Sequence, residues 1–365
     1  MRLIDICEIN PKTETLDDDT LVSFVAMPDV SEDGKIAVNT IRSYSEVKRG
    51  YTCFKEGDVL FAKITPCMEN GKGALAIGLK NGFGCGSTEF HVLRPNNSKV
   101  NGKWLYYLTS WSAFRIDAEK HMTGSAGQKR VPKSFLEKYE VTLPSIDDQQ
   151  KQACQLDRVR RILDLRREEL SAFDDLIKAR FIEMFGTIHN NKLGFEIGTL
   201  ESVSSAFFAG GDKPSDCSTV MDDEHPFSVY ANGFENEGLQ GYTSQCRVNT
   251  PSVTVSARGT IGYCFIRKAG FTPIVRLICI TPNEQVSVEY LKYAIDTMDI
   301  KSSGTSQAQL TVPDFKKEKI IIPPMRLQNQ FVMFVDQIDK SKSAIQKSLD
   351  ETQLLFDSLM QEYFG

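Results

Sequence analysis

The stretch VPDFKKEKIIIPPMRLQNQF runs from Val312 to Phe331, and a related stretch, VPKSFLEKYEVTLPSIDDQQ, runs from Val131 to Gln150. Each starts with a Val-Pro pair, continues into an apolar strand-like segment that ends in proline, and then enters a charged segment of helical character. The similarity reaches Phe185-Gly186 and Phe364-Gly365, which lie 179 positions apart. A repeat of about half the chain predicts a duplicated domain and is too long for a solenoid repeat.

The bulk composition favours two globular domains. The chain has 365 residues, more than one core usually organises, with 41% hydrophobic and 25% charged residues. No apolar run reaches the ~20 residues needed to cross a bilayer, and the N-terminus lacks a secretory signal, so we expect a cytoplasmic protein without membrane association. Nine cysteines without a C-x-x-C pair are expected to be reduced thiols rather than a disulfide framework or a zinc site. The net charge of −5 argues against a protein that coats nucleic acid by charge alone.

Both repeats have the same predicted order of secondary structure. A strand-rich region with glycine turns comes first, as in DVLFAKI (residues 58–64) and SVTVSARG (residues 252–259), and a long helix follows. We therefore predict an α+β fold in which two duplicated mixed α/β domains are separated by two long antiparallel coiled-coil helices. The predicted boundaries are 1–144 for the first domain, 145–186 for the first helix, 187–324 for the second domain and 325–365 for the second helix. Gly186 and Gly365 are expected to end the helices.

The two long helices show a heptad pattern, in which apolar residues recur with alternating spacings of three and four. The predicted seam consists of Leu156, Val159, Leu163, Leu170, Phe173 and Ile177 in the first helix and Val335, Ile338, Ile345, Leu349, Phe356 and Leu359 in the second. Polar interruptions such as Arg166 and Lys342 do not coincide in the two copies, which favours pairing of one helix with the other. The alternative, in which each helix packs only on its own domain, stays open.

The motifs of common enzymes are missing. No G-x-x-x-x-G-K-[ST] loop is present, and GFGCGS (residues 82–87) leads into a strand-like segment, whereas a phosphate-binding loop opens a helix. The four histidines show no metal-ligand spacing. At residues 322–325, IPPM lacks the polar and aromatic residues of an amino-methyltransferase loop. In PDVSEDGK (residues 28–35), the two aspartates are too close together for adjacent strands of a metal-dependent nuclease.

The order of several motifs resembles one known family. GDVLFAKITPCMENGKGALA, STEFHVLRP, GQKRVPKSF and LPSIDDQQKQA occur in the first half, and VTVSARGTIGYCF, GTSQAQLTVPDFKKEKIIIPP and RLQNQF repeat the pattern in the second. This order, doubled over essentially the full chain, is similar to the specificity subunit of type I restriction-modification enzymes. The chain is expected to start directly in its first recognition domain, without the N-terminal helical segment of some family members.

The resemblance implies a non-catalytic DNA-binding subunit. Two target-recognition domains would each read one half of a bipartite target in double-stranded DNA, and the helices would set the spacer between the halves. The implied partners are DNA adenine methyltransferase subunits, which carry S-adenosylmethionine, and a restriction subunit with helicase and nuclease activity, which uses ATP and Mg²⁺. Two alternatives remain: a self-sufficient nuclease or methyltransferase, and a structural coiled-coil adaptor that ignores DNA.

Candidate DNA-binding residues follow from the aligned repeats. The alignment puts Lys63 over Arg258, each followed two positions later by a threonine, and Lys72 lies between two glycines that would let it approach a phosphate. Glutamine suits adenine edges and arginine suits guanine, which draws attention to the polar loops before the Val-Pro pairs. The full predicted set is Lys63, Thr65, Lys72, Gln128, Lys129, Arg130, Arg258, Thr260, Arg276, Gln307 and Gln309.

Overall fold

A computed structural model describes residues 1–12, 14–37, 40–125, 127–259, 261–298, 300 and 310–365. Its contacts divide the chain into two units, Met1–Leu165 with Ser348–Gly365 and Arg166–Lys347. Each long helix contributes residues to both units, whereas the sequence-based boundaries treat the helices as segments of their own. Within the described part of the chain, no helix is long and apolar enough to span a membrane.

The first unit is built from two sheets and several helices. Its strands are β1 (Cys7–Ile9), β2 (Leu21–Val25), β3 (Thr40–Ser43), β4 (Thr52–Lys55), β5 (Val59–Ala62), β6 (Gly73–Leu75), β7 (Phe83–Gly86) and β8 (Phe90–Pro95). Its helices are α1 (Tyr44–Val47), α2 (Gly102–Ser110), α3 (Ser112–Lys120), α4 (Lys133–Lys138) and the start of α5 (Ile146–Phe185). One sheet has the order β1-β8-β5-β6, and the other has the order β3-β2-β7-β4 with β2 and β7 parallel.

The second unit repeats most of this topology and has an additional two-stranded sheet. Its strands are β9 (Glu196–Thr199), β10 (Ser204–Ala209), β11 (Phe227–Tyr230), β12 (Leu239–Thr243), β13 (Ser252–Val255), β14 (Cys264–Arg267), β15 (Phe271–Pro273), β16 (Ile278–Pro282) and β17 (Lys319–Ile322). Its helices are the second half of α5, α6 (Val288–Asp296), α7 (Val312–Phe315) and the first part of α8 (Met325–Phe364). The order β10-β16-β13-β14 matches the first sheet of the first unit, and β12-β11-β15 again contains a parallel pair, β11 with β15. The predicted α+β fold with duplicated domains is confirmed.

In the first unit the start of α5 packs antiparallel to the end of α8. Tyr363 Oη donates to Gln155 Oε1 at 2.8 Å, and the Arg160 guanidinium lies 5.1 Å from the Phe356 ring centroid. Later residues of α5 therefore contact earlier residues of α8, as antiparallel helices do. Trp104 of α2 is fully buried, with its ring centroid 5.0 Å from that of Phe364. Burial of such an aromatic side chain stabilises the fold by roughly 2–3 kcal/mol, so the end of α8 is part of the core of this unit.

The second unit uses the other ends of the same two helices. Phe185 is fully buried between Tyr290 of α6, at 5.0 Å between ring centroids, and Phe331 of α8, at 5.6 Å. Lys342 Nζ donates to Asp174 Oδ1 at 2.7 Å, which shows the same antiparallel direction. All twelve predicted seam residues are buried or half-buried. Gly186 follows α5 with φ of +76°, the left-handed conformation that ends helices at glycine.

A buried glutamine joins each long helix to its domain. Gln149 Oε1 accepts from the Asn101 N–H at 2.9 Å, and its Nε2 donates to the carbonyls of Lys99 and Pro144. Gln328 makes the same three kinds of bond, at 2.8 Å each, to Ser287, Gln285 and Pro323. Both side chains are fully buried. A buried amide with its bonds satisfied fixes the angle at which the helix leaves the domain.

The expectation that all cysteines are thiols is wrong for one pair. Cys53 of β4 and Cys85 of β7 form a disulfide, because the antiparallel register places them directly opposite each other. Directly opposed side chains in such a pair lie on the same face of the sheet and within bonding reach. The cysteines at positions 7, 67, 154, 217, 246, 264 and 279 are free.

Candidate nucleic-acid interface

In the first unit, the loop before α4 pairs with the end of β5. The Thr65 N–H donates to the Lys129 carbonyl at 3.0 Å, and the Val131 N–H donates to the Lys63 carbonyl at 2.9 Å. The turn into this loop needs Gly124, which has φ of +129° and where a Cβ would lie 2.7 Å from the Gln128 carbonyl oxygen. This pairing brings together five predicted DNA-binding residues, Lys63, Thr65, Gln128, Lys129 and Arg130, which we call the first-domain cluster.

Arg130 is held in place by a carboxylate that sequence reasoning missed. Its Nε and Nη2 donate to the two carboxylate oxygens of Glu89, both at 2.9 Å, and its Nη1 donates to the Gln128 carbonyl at 3.3 Å. The hydrogen bonds from Arg130 lower the pKa of Glu89 below its ordinary value, so Glu89 is ionised at neutral pH. The Arg130 side chain remains 41% exposed. A bidentate pair of this kind orients a guanidinium for contact with a second planar acceptor.

Lys72 stands in a bracing position. Its Nζ donates to the Met27 carbonyl at 3.2 Å, and its own carbonyl accepts from the Ala62 N–H at 3.3 Å. Its ammonium therefore links the loop after β5 to the segment after β2.

A buried arginine supports the same loop from inside the domain. Arg115 of α3 is 7% exposed, donates to the Met68 carbonyl at 2.7 Å, and lies 5.2 Å from the Phe61 ring centroid. Burial lowers the pKa of its guanidinium to about 10. No short-range sequence signal marks this residue, because a lone arginine in a short helix is usually a surface cation.

His91 connects the sheet to the first-domain cluster as a neutral ring. Its Nε2 donates to the Val131 carbonyl at 2.8 Å, while its Nδ1 accepts from Asn10 Nδ2 at 3.0 Å. Asn10 Oδ1 accepts from the Val92 N–H, which fixes the amide orientation. Burial is the main reason that the pKa of His91 falls below its ordinary value of 6.5. Protonation would place an N–H of the ring against the Asn10 amide N–H₂ group.

This arrangement predicts acid sensitivity of the folded chain. Because the His91 pKa is lower in the folded than in the unfolded state, its contribution to stability is complete above pH 6.5 and is lost as the pH falls toward the folded-state pKa. We expect the fall in melting temperature between pH 7.5 and pH 5.5 to be smaller for His91→Gln than for the unmodified chain. Thermal unfolding across this pH range is the measurement, with the exposed His189→Gln as control; equal slopes for all three chains would contradict the assignment.

In the second unit, backbone pairing corrects the alignment of the two candidate cations. Val59 pairs with Leu93, two residues before Pro95, and Val253 pairs with Ile280, two residues before Pro282, so Val59 is equivalent to Val253. Lys63 is therefore equivalent to Ala257, and Arg258 lies one position further along. A one-residue difference reverses the side-chain direction along a strand, so the two cations are not equivalents. Arg258 is exposed three residues after the end of β13.

Arg276 lies in an exposed turn between β15 and β16. Val275 and Arg276 have φ of +50° and +64°, and the Leu277 N–H closes the turn on the Ile274 carbonyl at 3.0 Å. Two consecutive left-handed residues are usual for Asn-Gly and rare for a β-branched residue, so this turn is strained. Counted back from Pro95 and Pro282, which end the matching strands, Arg276 occupies the position of Glu89. The two domains thus carry opposite charges at this turn.

The remaining predicted residues of the second domain, Thr260, Gln307 and Gln309, lie outside the described residues. The charged residues of PDVSEDGK make structural contacts. The Asp29 carboxylate accepts from the Ala26 N–H at 2.7 Å, and Lys35 forms salt bridges with Asp33 at 2.9 Å and with Asp164 at 2.8 Å. Among the described residues, no group of histidine, cysteine, aspartate or glutamate could hold a metal ion.

Comparison with known proteins identifies the family. Residues 1–172 and 194–352 each match the type I restriction modification DNA specificity domain. The chain belongs to this family and contains two copies of its domain. One match falls in each half of the chain, as the internal repeat predicts.

Individual relatives agree with this assignment. The chain is 41% identical over 175 residues to the specificity subunit of the type I restriction enzyme EcoAI of Escherichia coli, covering 47% of this chain and 30% of that protein. It is 46% identical over 149 residues to the EcoEI specificity subunit of Escherichia coli, covering 40% of this chain and 25% of that protein. The chain thus matches less than a third of the length of these two relatives. A putative type I specificity subunit of Mycoplasma pneumoniae is 24% identical over 259 residues, covering 71% of this chain and 70% of that protein.

Solved structures share the fold. A chain from a study of complex assembly and conformational transition of the type I R-M system is 19% identical with a TM-score of 0.61, covering 100% of this chain and 96% of that chain. The S subunit of a type I restriction-modification system from M. genitalium is 14% identical with a TM-score of 0.57, covering 100% and 95%. At these identities the likeness concerns the fold alone.

Proposed function

We propose that this chain is the non-catalytic, cytoplasmic DNA-recognition subunit of a type I restriction-modification enzyme. Its two domains read the two halves of a bipartite target in double-stranded DNA. The chain holds DNA adenine methyltransferase subunits and a helicase-nuclease restriction subunit at that target. S-adenosylmethionine, ATP and Mg²⁺ belong to those partners.

The observation that carries the proposal is the polar cluster at the end of β5 and the related position after β13. In the first domain, Arg130 is oriented by Glu89 and lies beside Lys63 and Lys129. In the second, Arg258 and Arg276 are both exposed in loops at the same end of the repeated sheet. Oriented guanidinium groups are the commonest readers of guanine edges, while lysines contribute phosphate contacts. Different residues at equivalent positions suit two domains that read different half-sites.

Co-expression tests this function. The full chain is produced with the DNA adenine methyltransferase subunit of a type I enzyme from the same source, in a host that lacks adenine methylation, and N6-methyladenine is mapped across the host genome. We expect methylation in one motif with two fixed halves and a spacer of constant length. The chain alone and the methyltransferase alone are the controls, and neither should methylate.

The outcomes separate the alternative functions. Methylation by the chain alone would establish a self-sufficient methyltransferase. A contiguous motif would overturn the reading of two half-sites, and methylation that is the same with and without the chain would overturn the proposal in favour of a structural adaptor. Binding of matched and scrambled duplexes must be compared at one salt concentration, because salt sets non-specific affinity.

A further inference from the structure

One asparagine joins the two arginine-bearing loops of the second domain. Asn232 Oδ1 accepts from the Ala257 N–H at 2.8 Å, next to Arg258. Its Nδ2 donates to the Val275 carbonyl at 2.7 Å, next to Arg276. The two loops are 18 residues apart in sequence, and this side chain bonds to the backbone of both.

The loop that carries Asn232 is itself held by hydrogen bonds. The Ala231 N–H donates to the Gly238 carbonyl at 2.9 Å, which closes the segment after β11 into a compact loop. Arg267, 3% exposed, fixes the far side of this loop through Glu237, to which its Nη1 donates at 2.8 Å. The guanidinium also lies 3.8 Å from the Tyr230 ring centroid. These contacts fix the Asn232 side chain relative to the sheet, and Asn232 in turn fixes the backbone at Ala257 and Val275.

The turn that carries Arg276 needs such a support. Its central residues, Val275 and Arg276, are both left-handed and neither is glycine, so the turn persists only if neighbouring groups hold it. Bonds from the Val275 N–H to the Gly211 carbonyl and from the Arg276 N–H to the Gly210 carbonyl also hold its backbone. The Asn232 side chain, which bonds to this turn at Val275, also bonds to the backbone next to Arg258.

We propose that Asn232 is a positioning residue for DNA recognition, which sets the distance between Arg258 and Arg276 and thereby the base sequence that the second domain accepts. This inference rests on the proposed function of the two arginines as DNA readers. The position demands an amide, because one atom must accept from an N–H while the other donates to a carbonyl. Aspartate has the same shape but would set a carboxylate oxygen against the Val275 carbonyl oxygen.

In the first domain, the position equivalent to Asn232 is held by a different kind of bond. Counted from the parallel pairs of β2 with β7 and of β11 with β15, Asn232 corresponds to Met27. There the Met27 carbonyl accepts from Lys72 Nζ at 3.2 Å, so a lysine on the opposite loop makes the connection. A change at Asn232 should therefore affect one half of the motif and leave the other half unchanged.

The test uses the full chain with its methyltransferase subunit, and its readout is the methylated motif in host genomic DNA. Arg276→Gln first shows which half the second domain reads. Asn232→Asp is expected to relax at least one fixed base in that same half, with the other half and the spacer unchanged and with methylation at the original motif reduced about tenfold or more. Asn283→Asp is the matched control, because Asn283 makes the same two kinds of backbone bond, to Gln285 and Ser202, away from both arginines.

The outcomes distinguish the inference from the function on which it rests. Relaxation by both Arg276→Gln and Asn232→Asp, with a double variant no worse than Arg276→Gln alone at the shared base, supports positioning. Relaxation by Arg276→Gln with an unchanged motif in Asn232→Asp overturns the inference and leaves the proposed function intact. An unchanged motif in both Arg276→Gln and Arg258→Gln overturns the proposed role of these arginines and the inference with it. Asn232→Ala removes both bonds without adding charge; if neither Asn232 variant methylates at all, the residue is structural and the inference fails.

Discussion

Replacement of Arg130 by glutamine is expected to weaken binding of the cognate duplex by about 5- to 150-fold, the range for loss of one bidentate base contact. The same variant should relax one base in the half of the motif that the first domain reads. The physical reason is that the guanidinium is already oriented by Glu89 and half-exposed, so it can present a planar pair of donors without further ordering. Fluorescence anisotropy with the mapped duplex measures the affinity, and methylation mapping measures the motif.

A second bidentate pair in the same domain provides the control. Arg94 donates to both carboxylate oxygens of Asp58, at 2.8 and 2.7 Å, at the opposite end of β5. Arg94→Gln leaves a carboxylate that is 1% exposed without its partner, so it should lower the melting temperature and keep the motif. If Arg130→Gln also lowers only the melting temperature and keeps the motif, Arg130 is structural and the first-domain cluster does not read DNA through it.

Replacement of Gln328 by alanine is expected to destabilise the second unit by about 2–4 kcal/mol, because it leaves one buried N–H and two carbonyls without their bonds. Denaturant unfolding of the full chain, followed by circular dichroism, is the measurement. Gln330→Ala, an exposed position on the same helix, should change the free energy of unfolding by less than about 0.5 kcal/mol.

Gln149→Ala should have the same effect on the first unit. Both tryptophans of the chain, Trp104 and Trp111, lie in that unit, so their fluorescence reports its unfolding separately. We expect Gln149→Ala to shift the fluorescence transition and Gln328→Ala to leave it nearly unchanged. Equal shifts of the fluorescence transition in both variants would show that the glutamines do not act within their own units.

The duplicated fold could be predicted from the sequence because its signals are local or periodic. Val-Pro pairs, the proline stops before the helices, the heptad spacing and Gly186 each act over a few residues, and the two copies reinforce one another. The lack of a nucleotide-binding loop motif and of metal-ligand spacing is also evident directly from the sequence. Family resemblance then followed from the order of these segments.

The candidate interface depends on contacts between distant segments, which the sequence does not reveal. Glu89 orients Arg130 across 41 residues, and Cys53 meets Cys85 only because β4 and β7 pair in one register. The alignment of Lys63 with Arg258 was wrong by one position because both follow an alanine. Strand pairing, rather than local similarity, decides which residues are equivalent.

The end of α8 belongs to the first unit, and this affects how the chain folds during synthesis on the ribosome. All residues of the second unit lie between Arg166 and Lys347, so that unit can complete its core once this stretch has emerged. The first unit must wait for residues 348–365, because Phe356, Leu359 and Met360 belong to its core and Phe364 covers Trp104. The domain that is translated first is therefore the one that finishes folding last. Until then the part of its core that α8 covers stays exposed, which makes the newly made chain prone to aggregation.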